Sequence, residues 1–174
     1  MTSQHQNLIA IDPSLTCTGW AWFGNGALLT AGWIPTSPAM GSHLVRAHHI
    51  ALNIGWSVSA GADFIFEAPQ IYQTSRGAGD PNKIALGWLV IGAIGECGWV
   101  KRSETVFPAK WKGQVPKPVM FERIKRRLTD HEIGCCKDLD ILKGPEAKCP
   151  GASSKAGNAM DAIGVGLWKL GRLG

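Results

Sequence analysis

The stretch "LIAIDPSLTCTGWAWF", residues 8–23, decides how the rest of the chain reads. Four apolar residues run into Asp12, a proline and a polar turn follow, and an apolar segment resumes after Gly19. Acids are depleted in strands and costly to bury. Asp12 therefore has two readings. It is an Asx-turn residue closing a strand, or a carboxylate set at a strand end to do chemistry.

Working outward, residues 8–12 read as a buried strand, and residues 17–23 and 27–34 as two more. "GNG" between the last two is a hairpin signal. Residues 43–60 place Leu44, Val45, Ala47, Ile50, Ala51, Ile54 and Val58 at the spacing of an amphipathic helix. "ADFIFEAPQ" reads as a short strand ending in Glu67 and stopped by Pro69. Residues 70–82 form a polar, Gly-rich loop. Residues 83–98 read as a helix apolar nearly all round, either central or an interface. Residues 99–107 predict a fifth strand, 117–129 a basic helix, 130–154 an irregular segment and 156–170 a closing helix. This order predicts one α/β domain over residues 1–174. Its sheet is five-stranded and mixed, three antiparallel strands then parallel ones, flanked by helices.

The composition agrees with a packed domain. At 174 residues, 45% hydrophobic and with 22 glycines, the chain can bury a core without staples. Its net charge is +5 and its pI about 9.1, which points to a polyanionic partner such as nucleic acid. Residues 101–127 hold Lys101, Arg102, Lys110, Lys112, Lys117, Arg123, Lys125, Arg126 and Arg127 against Glu104 and Glu122, nine of the 18 basic residues. No apolar run is long enough to span a bilayer, and "MTSQHQN" lacks the basic region and apolar stretch expected of a signal peptide. Five cysteines without secretory context predict reduced thiols and a cytoplasmic setting.

Two strands end in acids, Asp12 and Glu67, and strand ends are where α/β sheets build sites. Asp161 lies in the last helix, and Asn158 three residues before it shares its face. Three acids on rigid elements near a basic surface suit Mg²⁺, which prefers carboxylate and water oxygens. Two such ions about 3.5–4 Å apart can activate water and stabilise the leaving oxygen in phosphodiester cleavage. Each residue also has a plain structural reading. Glu67 is then a solvated rim residue, Asp161 an exposed acid near a helix start, and Asn158 an N-cap.

"IAIDPSLTCTGWA", "FIFEAPQ" and "NAMDAIGVGLW" together resemble the RuvC-type Holliday junction resolvases of the RNase H-like (retroviral integrase) superfamily, including phage-type members. The family pattern is an acid ending the first strand, a Glu ending the fourth, and two liganding residues three apart in the last helix. Asp12, Glu67, Asn158 and Asp161 occupy those positions. "PAKWKGQVPK" is similar to the family's loop, so Lys112 and Lys117 stand as the lysines on the catalytic side, where one would neutralise charge developing on the phosphate. The likeness covers residues 8–129 and 155–170 and leaves 130–154 unmatched. The chain departs from the family at Ser14, often Gly, and at Asn158, usually Asp or sometimes His. A neutral amide removes one negative charge, which weakens one metal position or changes the metal preferred.

The resemblance implies a homodimeric, Mg²⁺-dependent endonuclease, with Mn²⁺ as a substitute, that resolves four-way DNA junctions. Two opposite strands need two sites, which a twofold dimer supplies, and helix 83–98 is the candidate interface. After Glu67 the family is expected to push an apolar or aromatic side chain into the junction; Gln70, Ile71 and Tyr72 are the candidates, Tyr72 the preferred one, with Arg76 holding a phosphate. Lys110, Arg123, Lys125, Arg126 and Arg127 read as DNA-backbone contacts, or as solvated surface charge. His131, Cys135, Cys136 and Cys149 lack structural-zinc spacing and read as a loop with reduced thiols. His48 and His49 read as structural or surface residues. Three rivals stand beside the resolvase: an RNase H-like nuclease on other branched or hybrid nucleic acid, a sugar-kinase or actin-like ATPase, and a junction-binding protein that has lost cleavage.

Overall fold

The computed structural model describes residues 7–57, 61–70, 73–74, 77–78, 80–136, 139 and 155–173. Strands β1 (Asn7–Asp12), β2 (Cys17–Gly24) and β3 (Ala27–Pro35) form an antiparallel meander. Asn25 and Gly26 turn β2 into β3 with φ of 52° and 79°, the paired left-handed conformation a tight hairpin requires. Helix α1 (His43–Ser57) leads to β4 (Ala62–Glu67), which pairs in parallel with β1. A two-residue pair, β5 (Gln73–Thr74) and β6 (Gly77–Ala78), precedes α2 (Pro81–Gly95), and β7 (Val100–Val106) then joins β4 in parallel. Three short helices, α3 (Pro108–Trp111), α4 (Lys117–Lys125) and α5 (Asp130–Cys135), precede α6 (Lys155–Lys169). The main sheet runs β3-β2-β1-β4-β7, the five-stranded mixed sheet expected.

Each face of the sheet buries its own layer. Strand side chains alternate between faces. Leu8 and Ala10 of β1 and Ile65 of β4 therefore join Ile163, Val165 and Leu167 of α6, together with Met120, Phe121 and Ile124 of α4. Ile9, Ile11, Phe64 and Phe66 face the other way, onto Ile50 and Ile54 of α1 and Val90 and Ile94 of α2. By the same alternation Asp12 and Glu67 fall on the α6 face.

Some boundaries and one segment differ from the sequence reading. Helix α2 begins at Pro81 because Asp80 caps it, accepting from the Asn82 amide, with Pro at the first helical position. It is neither central nor apolar-buried all round: Gly87, Val90 and Ile94 face the core, while Trp88 is 43% exposed. The loop over 70–82 contains the β5–β6 pair, and the basic helix stops at Lys125. The expectation of an irregular 130–154 is overturned at its start. Thr129 and Glu132 form a reciprocal capping box that begins α5. The Glu132 side chain is then buried beneath the β2–β3 hairpin, where the Leu28 amide donates to it over 2.7 Å.

Candidate active site

The β1–β4 register pairs Ile11 with Phe66, so the next residues, Asp12 and Glu67, end adjacent parallel strands. Across the other edge of β1, Asp12 faces Gly19 of β2. Gly19 is where α6 crosses the sheet. A Cβ there would stand 2.7 Å from the Ala159 nitrogen and closer still to the Asn158 carbonyl. The missing side chain thus lets the helix backbone rest on the strand, one turn before Asp161.

The turn between Asp12 and β2 is clamped. Thr18 Oγ1 donates to the Ser14 carbonyl over 2.7 Å, and buried Arg46 donates to the Leu15 carbonyl and to Thr36 Oγ1. The "PSLT" segment is therefore held from both β2 and α1.

Glu67 is buried, not a solvated rim residue. Trp111 Nε1 donates to its Oε2 over 3.1 Å, and Lys112 Nζ lies 3.1 Å from its Oε1. Lys112 Nζ also lies 3.8 Å from Asp161 Oδ1, and Lys117 Nζ donates to Asp161 Oδ2 over 3.0 Å. Asp161 is partly buried and inside α6, not an exposed acid at its start. Asn158 also lies within the helix, not at its cap. Its Nδ2 donates to the Cys17 carbonyl, which leaves Oδ1 as the amide's acceptor.

The electrostatics follow from this crowding. Burial pushes the Asp12 carboxyl well above its ordinary pKa, and Glu67 and Asp161 push it further, against the pull of Lys112 and Lys117. Burial also raises Glu67; Lys112 opposes this by charge and hydrogen bond, Asp161 adds to it, and Trp111 opposes it. Three carboxylates on rigid elements, with the Asn158 amide beside them, are hard oxygen donors, the kind Mg²⁺ and Mn²⁺ take. Cations there would relieve the repulsion that raises Asp12, so the donor set fits. As they stand, no three His, Cys, Asp or Glu groups among the described residues are drawn close enough to hold one ion. Lys112 bridges Glu67 and Asp161 instead.

The remaining expected residues fall in several places. Lys110 is exposed, its Nζ 5.6 Å from the centre of the Trp168 ring. Arg123, Arg126 and Arg127 are exposed at the end of α4, with Lys125 partly buried beside them. Ile71, Tyr72, Arg76 and Cys149 lie outside the described residues, and Gln70 is partly buried. Cys135 Sγ lies 3.8 Å from His131 Nε2 on α5, while Cys136 is buried, and neither cysteine is in a disulfide. Two residues escaped sequence reasoning: Trp111, the partner of Glu67, and Arg172, the partner of Glu132. "PAKWK" offered a signal for Trp111 only in hindsight, as an aromatic set between two lysines on a one-turn helix.

Comparison with known proteins bears on the fold. No known family model matches the chain. A curated protein, the AA9 family lytic polysaccharide monooxygenase C of Emericella nidulans, is 38% identical over 69 residues, 40% of this chain and 29% of that protein. The chain thus spans under a third of the length of the curated relative it matches. Solved structures align along nearly the whole chain. Thermus thermophilus RuvC superposes with a TM-score of 0.57 at 17% identity, covering 96% of this chain and 98% of that one. T. thermophilus RuvC in complex with a Holliday junction substrate gives 0.51 at 18% identity, covering 94% and 91%. The chain has the RuvC fold. Among the described residues no helix is long and apolar enough to cross a membrane.

Proposed function

We propose that the chain is a divalent-metal-dependent endonuclease that cuts branched DNA, four-way junctions above all. The observation that carries this reading is the convergence of Asp12, Glu67 and Asp161 from β1, β4 and α6, with Lys112 and Lys117 among them. Composition supports it through the basic segment around those lysines, and the RuvC fold gives it a precedent.

Asp12, Glu67 and Asp161 would hold the metal ions, with Asn158 Oδ1 as a weaker neutral donor. Bound there, Mg²⁺ or Mn²⁺ would activate water and stabilise the leaving 3′ oxygen. Trp111 orients Glu67 by its indole N–H. Lys112 and Lys117 bring positive charge to where the phosphate gains negative charge. Tyr72 would stack on bases at the branch and Arg76 hold a phosphate; Lys110, Arg123, Lys125, Arg126 and Arg127 would contact backbone. Two opposed cuts call for two sites, and a homodimer through the outer faces of α1 and α2 supplies them. Leu44, Val45 and Leu52 of α1 and Trp88 of α2 are exposed there.

The test is nicking of a synthetic four-way junction. The parent should cut in Mg²⁺ or Mn²⁺ and Asp12→Asn should not; a variant as active as the parent would overturn the assignment. Junction binding by the parent without cleavage in either metal would instead favour a binding protein.

A further inference from the structure

We propose that Arg46 is a positioning residue for Asp12, acting through the main chain of the turn that follows it, residues 13–16. What Asp12 does rests on the nuclease reading; how it is held rests on the turn alone.

Arg46 belongs to α1, in the layer on the sheet face opposite α6. It is only 4% exposed. A guanidinium keeps its charge at any working pH, and a buried charge is costly unless it is paired. Among the described residues no carboxylate forms an ion pair with it. Its donors go to neutral oxygens instead: Nη2 to the Leu15 carbonyl over 3.2 Å, and Nε to Thr36 Oγ1 over 2.9 Å. Even a buried ion pair can often be replaced by apolar side chains without loss of stability. A buried guanidinium without an acid contributes less still. Packing of the fold thus gives little reason for an arginine here, and its contacts say what it does.

Those contacts fasten the turn that leaves Asp12. Thr36 Oγ1 also donates to the Leu15 carbonyl, so Arg46, Thr36 and that carbonyl close a triangle. The Thr36 amide donates to the Thr16 carbonyl over 2.9 Å. Thr18 Oγ1 ties Ser14 from the other side, accepting from its amide and donating to its carbonyl. Each carbonyl from Ser14 to Thr16 therefore has a donor, and the Leu15 side chain is buried in the same layer as Ile50 of α1.

The link from Leu15 back to Asp12 is short and stiff. Pro13 is buried, its carbonyl lies against Gly87 of α2, and its ring fixes φ. A shift of the Leu15 carbonyl is therefore passed on to Asp12 rather than absorbed between them. Burial, then the charges of Glu67, Asp161, Lys112 and Lys117, act on the Asp12 carboxyl. Arg46 is not among those charges, so its route to Asp12 is the main chain.

The experiment compares the parent with Arg46→Met and Arg46→Lys. Met fills similar space and leaves the Leu15 carbonyl its Thr36 donor, so the folding constant from urea melts should stay within about tenfold of the parent's. In EDTA, amide exchange at Ser14 and Thr36 should quicken about tenfold or more, the worth of a hydrogen bond to a charged group. Exchange at Ile163 and Val165 in α6 should not change. Mn²⁺ affinity by calorimetry should fall about tenfold in step with the turn. Lys, which keeps a charged donor but not the fork, should recover part of both losses. If Arg46→Met does not fold, Arg46→Lys carries the same comparison at a smaller loss. Parent-like exchange at the turn in a folded variant overturns the proposal. So does parent-like Mn²⁺ affinity with a loosened turn, since the turn then does not set Asp12, and so does a uniform rise of exchange through α6, which makes Arg46 a residue of the fold at large. The exchange measurement needs no metal. A parent that neither binds Mn²⁺ nor cuts junctions overturns the nuclease reading, while quicker exchange at Ser14 and Thr36 still shows that Arg46 holds the turn.

Discussion

Gly19 lies against the backbone of Asn158, so the first hairpin and the last helix touch main chain to main chain beside Asp12. A methyl group at position 19 meets peptide atoms, which cannot swing aside as a side-chain tip can. Gly19→Ala should destabilise the fold by about 1–3 kcal/mol, the usual penalty for overpacking. Because α6 carries Asp161, nicking should fall further than that loss explains. Urea melts and junction cleavage well below the midpoint measure the two effects. Parent-like cleavage would show that contact of α6 with β2 does not set the acid geometry.

Asp12→Asn should abolish nicking yet raise stability at pH 7. The folded pKa of Asp12 lies above its unfolded value, so the unfolded chain holds fewer protons once pH passes the ordinary aspartate value of about 3.9. Stability attributable to Asp12 therefore falls as pH rises toward the folded pKa. The advantage of the Asn variant should disappear below about pH 4. Unfolding midpoints at pH 3.5 and pH 7 in EDTA would show this, and equal gaps at both would count against it.

Trp111→Phe removes the indole N–H that holds Glu67 and keeps an aromatic ring there, though a smaller one than the indole whose Cζ3–Cη2 edge packs on Gly164. A hydrogen bond to a charged group contributes about 1.5–3 kcal/mol. Nicking should drop about tenfold or more while the fold is kept. Mn²⁺ affinity by calorimetry should weaken in parallel. Unchanged affinity with unchanged cleavage would leave Trp111 a packing residue only.

Glu132 holds the C-terminal segment to the β2–β3 hairpin. Burial opposes its ionisation, but Arg172 and the Thr129 and Leu28 amides outweigh that and bring its pKa down to about 2. Its contribution is full above the ordinary glutamate value and is lost as pH falls from there through about 2. Lowering the carboxyl from its ordinary value to about 2 corresponds to roughly 3 kcal/mol. Glu132→Gln should cost about that much at pH 7 and far less near pH 2, read from denaturant melts at both.

The parent should sediment as a dimer at micromolar concentration in sedimentation velocity, and Trp88→Glu with Leu52→Glu as a monomer. A parent that stays monomeric with and without DNA would remove the dimer from the proposal.

The sequence by itself determined a good deal. Short apolar runs rich in strand formers and the "GNG" turn specified the meander, because both signals are local. Asp12 and Glu67 could be placed at strand ends, since each is followed at once or after one residue by a proline. The helical spacing of Asn158 and Asp161 put them on one face. Only the tertiary structure decided that β4 lies beside β1, and that strand alternation turns both acids toward α6. Gly19 was visible in the sequence, but its role was not, because the atoms it makes room for lie about 140 residues away. The same holds for Trp111 with Glu67 and Arg172 with Glu132, whose partners are 44 and 40 residues distant. Local pattern fixes which way a side chain points on its own element. Which elements meet is set by the burial of both sheet faces at once, and no short window of sequence contains that.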